Sequence, residues 1–113
     1  MAYAVQDLAP DVTAPPYESY GQDIRDRTFE FACDIVLFCD ALFHQGGIAR
    51  ILAPQLVRCG TSIGANLEEA RDGESRPDFI SKCSIALKEA RETTFRLRVA
   101  ERCRLDRETE SLR

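Results

Sequence analysis

QLVRCGTSIGANLEEARDGESRPDFISKCSIALKEARETTFRL, residues 55–97, contains two helical patterns joined by one capped corner. Asp72-Gly73 supplies a helix stop. Ser75-Arg76-Pro77-Asp78 then places a serine at the N-cap, proline in the first turn and an acid three residues on, a capping box in outline. Such a cap fixes the corner and predicts an antiparallel hairpin of helices two and three. Helix three is expected from about Arg76 to Cys103, with Phe79, Cys83, Ala86, Ala90, Thr94, Leu97 and Ala100 along its buried seam. At about 1.5 Å per residue it is about 40 Å long. Helix two is expected to begin between Ile48 and Pro54, with the proline confined to its first turn.

Two features of helix two go beyond a simple apolar stripe. Gly60 and Gly64, with Cys59, Ser62 and Ala65, make a small-residue surface that lets a neighbouring backbone come close; each glycine costs about 0.5–1 kcal/mol in a helix interior, which argues for a packing requirement. Arg58, Ser62, Asn66 and Glu69 recur at steps of four, four and three, so they share a polar face. On helix three, Glu89, Glu92 and Arg96 share another. The expectation is an interhelical polar cluster in which Arg58 pairs with Glu89 or Glu92 and Ser62 and Asn66 satisfy nearby groups. No catalytic residue is assigned. The lone histidine, His44, forms no Glu-x-x-His pair, the acids and cysteines have no metal-ligand spacing, and Gly60-Thr61-Ser62-Ile63-Gly64 lacks the lysine of a phosphate loop. No cofactor or metal is expected.

Upstream, Ile24, Thr28, Phe31, Ile35, Phe38 and Leu42 form a helical seam, and a second row through Phe29, Val36 and Phe43, with Ala32 and Cys39, widens the apolar face. A helix this apolar needs cover on several sides, from its own bundle or from another copy. His44, Gly46 and Gly47 mark its end. Residues 1–22, with Pro10, Pro15, Pro16 and Gly21, have no sustained period and read as an irregular arm. Residues 23–113 read as one domain, closed by a short fourth helix over 107–113 behind a break at Leu105-Asp106.

The chain of 113 residues has a formal charge of −4, and Asp7, Asp11, Glu18 and Asp23 account for all of it. The remainder is neutral but segregated: Arg96, Arg98, Arg102, Arg104 and Arg107 cluster against only Glu101 and Asp106, a candidate nucleic-acid-binding surface. The five cysteines form no CxxC pair and read as reduced core residues of a cytoplasmic protein. No apolar run approaches the ~18 residues that span a bilayer, so neither membrane insertion nor a membrane partner is expected.

Gln55-Leu56-Val57-Arg58, then Thr61-Ser62-Ile63-Gly64-Ala65-Asn66-Leu67-Glu68-Glu69-Ala70, Ser75, Phe79, and Ile85 through Thr93 resemble the small bacterial four-helix bundle proteins named for open reading frames in intervening sequences of 23S ribosomal RNA genes. The resemblance covers about residues 24–104. Its QLxRxxxSIxANxxE signature places the family's arginine, serine, asparagine and glutamate on Arg58, Ser62, Asn66 and Glu69, and its helix-three glutamate on Glu92. The resemblance implies an all-α, antiparallel up-and-down four-helix bundle that assembles as a homopentameric ring, with no enzymatic activity. Because the chain ends at Arg113, a short or truncated fourth helix is expected. A related accessory protein of diversity-generating retroelements is a basic pentameric barrel that binds a reverse transcriptase and nucleic acid. The expected function is therefore a self-assembling, non-enzymatic scaffold or interaction module that partners itself and whose further partner, nucleic acid or protein, is left open; the alternative is an accessory protein that binds RNA, DNA or a reverse transcriptase through its arginines.

Overall fold

The structure, a computed structural model, describes residues 17–72 and 75–106, with side chains from residue 23. These residues form three helices and no strand: α1 Tyr17–His44, α2 Ile48–Arg71 and α3 Arg76–Arg102. The middle helix, α2, packs against α1 on one flank and α3 on the other, while α1 and α3 barely touch. Short connections fold each helix back on its predecessor. The fourth helix expected over 107–113, and Arg107 with it, lie outside the described residues.

α1 begins at Tyr17, inside the segment expected to be an irregular arm over 1–22. Pro16, the last proline of that segment, stands just ahead of that start, and Gly21 is carried inside the helix at a cost of about 1 kcal/mol rather than breaking it. Residues 1–16 lie outside the described residues. The expected seam is buried at Thr28, Phe31, Ile35, Phe38 and Leu42. The helix stops where the sequence indicates: His44 Nδ1 lies 2.7 Å from the Asp40 carbonyl oxygen, and Gly46 and Gly47 follow with φ of +79° and +60°, values that glycine adopts without strain.

α2 starts at Ile48 and runs straight through Pro54, which is its seventh residue and not part of the first turn. An interior proline forfeits one backbone hydrogen bond and costs about 3 kcal/mol in an isolated helix. Here the ring points outward, while Ala49, Ala53 and Leu56 on the opposite side bury themselves in the core and hold the helix across the defect. Tertiary packing outweighs local propensity at this point.

α3 is capped as expected: Ser75 has extended backbone geometry and its hydroxyl oxygen accepts from the Asp78 N–H at 3.3 Å, with Pro77 in the first turn. The helix ends one residue early, with Cys103 as the C-cap; Arg104 turns left-handed at φ +66° and Leu105 re-enters helical geometry. The buried threonine is Thr93, not Thr94 as the seam predicted. Thr93 falls on the Ala86–Ala90–Leu97–Ala100 line, and its hydroxyl donates to the Glu89 carbonyl at 2.7 Å, which satisfies the one polar atom it buries. Gln45 Nε2 donates to the Leu105 carbonyl at 2.9 Å, tying the α1–α2 turn to the end of α3.

The closest approach in the core lies between α1 and α2. A Cβ placed on Gly60 would stand 2.8 Å from Cγ2 and 3.1 Å from Cγ1 of Ile35, a side chain that is completely buried. The fit at Gly64 is looser: a Cβ placed there would stand 3.3 Å from Thr28 Oγ1. Gly60→Ala is expected to destabilise the protein by about 1–3 kcal/mol through overpacking, even though alanine is the better helix former. Gly64→Ala is expected to be near neutral. Chemical denaturation checks both, and Ile35→Ala combined with Gly60→Ala should show favourable coupling of at least about 0.5 kcal/mol.

Candidate functional site

The polar faces of α2 and α3 meet along a cleft of about 300 Å³ lined by Gln55, Arg58, Cys59, Glu89, Glu92 and Arg96. Here the structure brings four of the sequence-derived candidates together: Arg58, Glu89, Glu92 and Arg96. The pairing differs from expectation. Arg58 is exposed and makes no ion pair to Glu89 or Glu92; Arg96 Nη1 takes the Glu92 carboxylate at 3.4 Å instead. The reason is geometric. Glu92 and Arg96 stand one turn apart on a single helix and meet without reorganisation, whereas an exposed Arg58 would have to give up side-chain freedom for a pairing that water screens.

Ser62 and Asn66 also bond within their own helix rather than across the hairpin. The Ser62 hydroxyl donates to the Arg58 carbonyl at 2.6 Å and Asn66 Nδ2 donates to the Ser62 carbonyl at 2.8 Å. Among the described residues, an ion pair that does join α2 to α3 is Glu69 to Lys82, at 2.7 Å, beyond the cleft. The hydrogen bond and the charge of Glu69 hold the Lys82 pKa above its ordinary value. Lys82 was missed from the sequence because its contact lies across the hairpin, where spacing along one helix gives no signal.

The cleft has little reactive chemistry. Cys59 is buried, its thiol donates to the Leu56 carbonyl at 3.4 Å, and Arg96 Nη1 approaches its sulfur at 3.9 Å. No histidine stands among the cleft's lining residues to serve as a base. Burial, and then the neighbouring Cys59, push the Cys39 thiol up from 9.0 to about 12. Among the described residues no group of three or more His, Cys, Asp or Glu side chains is placed to hold a metal ion, and no helix is long and apolar enough to cross a membrane.

The arginine cluster divides. Arg96 faces the cleft, while Arg98, Arg102 and Arg104 line a wide hollow of about 1010 Å³ at the end of α3, with Phe95 and Asp106 beside them. Cys103 lies there too and is exposed, unlike the core cysteines Cys39 and Cys59; all five thiols are free.

The model of the 23S rRNA-intervening sequence protein family matches residues 22–112. Among solved structures, the chain is similar to the crystal structure of a protein with unknown function from the S23 ribosomal protein family of Bacteroides thetaiotaomicron. The two are 33% identical with a TM-score of 0.68, over 80% of this chain and 88% of that one. A comparison with curated proteins finds no significant match.

Two outcomes check this site. In double-mutant cycles, Glu92→Gln should couple to Arg96→Gln by about 0.3–0.5 kcal/mol and to Arg58→Gln by about zero. In thiol labelling of the native protein at pH 8, Cys103 should react first and Cys39 and Cys59 only on unfolding. The sign for Cys39 follows from its raised pKa: an unfolded thiol ionises from about 9 and the folded one only near 12, so this group's contribution to stability falls as pH rises between them.

Proposed function

The chain belongs to the 23S rRNA-intervening sequence protein family, and from that premise we propose that it is a non-catalytic helical scaffold that works as a self-assembled ring. The observation that carries this reading is the apolar surface the single chain leaves wet. On α1, the second row predicted to need cover is exposed: Phe29 to 64%, Val36 to 46% and Phe43 to 38%, with Leu37 beside them at 67%. On α3, Ile80, Leu87 and Phe95 are exposed as well. Exposed apolar rows on the outer helices mark surfaces for association with a partner. α1 and α3 barely touch, so the place between them that a fourth helix would fill in an up-and-down bundle is open to a neighbouring copy. Five copies is the number that the family resemblance implies. The polar face of Arg58, Ser62, Asn66 and Glu69, with Glu89 and Glu92, is then structural rather than reactive, with Glu69 linking α2 to α3 through Lys82.

Val36→Glu tests the assembly. Val36 is half-exposed in the single chain, so its helicity by circular dichroism should persist while the sedimentation coefficient falls to that of a smaller species. Unchanged sedimentation would contradict the reading.

A second reading is supported by the gathering of Arg98, Arg102 and Arg104 around one hollow: an accessory protein that binds RNA or DNA, or a reverse transcriptase, through these side chains. Arginines placed this way engage phosphates, and such binding weakens steeply with salt. If it holds, single-stranded RNA binds at low salt, log affinity falls linearly with log salt, and Arg98→Ser with Arg102→Ser flattens the slope. Absence of binding at 50 mM salt would remove this reading.

A further inference from the structure

The two outer edges of the chain are different and complementary. α1 and α3 lie on opposite flanks of α2, so neither edge can meet the other within one copy. On the α1 edge, Asp26, Glu30, Leu37 and Asp40 fall on one stripe at steps of four, seven and three, flanked by Phe29 and Val36; all are exposed. On the α3 edge, Ile80, Leu87, Arg91, Phe95, Arg98 and Arg102 recur at steps of seven, four, four, three and four, and all are exposed. One edge is apolar and acidic, the other apolar and basic.

We infer that the α1 edge of one copy docks on the α3 edge of the next, with Glu30 against Arg91 and Asp40 against Arg98. The inference rests on the self-assembly proposed above and names the surfaces that perform it. Joining like edges would set acids against acids and arginines against arginines, with their exposed charges in direct opposition, whereas joining unlike edges cancels both. The heights agree as well. The Gln45–Leu105 hydrogen bond sets residues 45 and 105 at one level. Counting back from that level, Glu30 is 15 positions away and Arg91 14, and Asp40 is 5 and Arg98 7, so with the short turn after Arg102 counted as helix each pair agrees to within about 3 Å at about 1.5 Å per residue. Phe29 then falls within about 3 Å of the level of Leu87, and Leu37 within about 3 Å of that of Phe95. α1 and α3 run in the same direction, each antiparallel to α2, so copies related by rotation about an axis along the helices keep these levels. An interface between two different surfaces is heterologous, and it repeats from copy to copy until a ring closes.

The test is a charge exchange in the full chain, read by light scattering and circular dichroism. Glu30→Arg and Arg91→Glu are each expected to dissociate the assembly at least tenfold more readily than wild type while helicity is retained, and the chain carrying both changes is expected to recover it. If wild type assembles but the single changes leave it intact, or the combined chain fails to recover, the edge pairing is overturned and the self-assembly reading stands. If wild type is a monomer at micromolar concentration, both are overturned. Asp40→Arg with Arg98→Glu repeats the test at the second level, so that a local folding defect at one pair does not decide the outcome.

Discussion

The close approach of α1 and α2 at Ile35 and Gly60 is the constraint on which the rest of the structure depends. A branched side chain with no exposed surface fills the space that any Cβ at position 60 would occupy. That contact sets the spacing of the first two helices and buries Phe38, Leu42 and Leu56 around it. A β-branched isoleucine in a helix has one strongly preferred rotamer, so it gives little way. Once α2 is fixed against α1, its other flank is free only for α3. The Ser75 cap and the Thr93 hydroxyl, satisfied by its own helix, let α3 settle there without burying an unpaired polar atom.

The same order, with α2 in the middle, exposes the outer flanks of α1 and α3. The structure therefore divides its labour between a shared core along α2 and two open edges. The polar cleft between α2 and α3 belongs to the first part. Its ion pair, Glu92 with Arg96, is local, the pair that links the two helices, Glu69 with Lys82, lies beyond it, and each is exposed enough that its worth lies in orientation more than in stability. The open edges belong to the second part, where exposed apolar rows and opposite charges give the chain surfaces that its own core does not use.

How much of this was legible depended on the range of the interactions. Helix ends written in local chemistry read correctly: the glycines after His44, the Ser75 cap with Pro77, and the seam from Thr28 to Leu42. Gly60 also read correctly as a close-packing position, because a glycine in a helix interior is costly without one. Pro54 did not, since packing on the far side of α2 outweighs a local breaker and no single-residue signal reports it, and the start of α1 at Tyr17 was missed because Gly21 reads as a breaker but is carried inside the helix. Thr93 was displaced by one position because Thr93 and Thr94 both fit an alternation of threes and fours. The Arg58 pairing failed for another reason. Spacing places a side chain on a face, but the choice of partner depends on the rotamer and on competition from a residue one turn away, which Arg96 wins.

The central claim is that the wet apolar edges of this chain are covered by further copies of itself. Light scattering of the wild-type protein at micromolar concentration measures this most directly. The account predicts a mass about five times the 12.7 kDa of a single chain; a stable monomer that keeps its full helicity on dilution would contradict it.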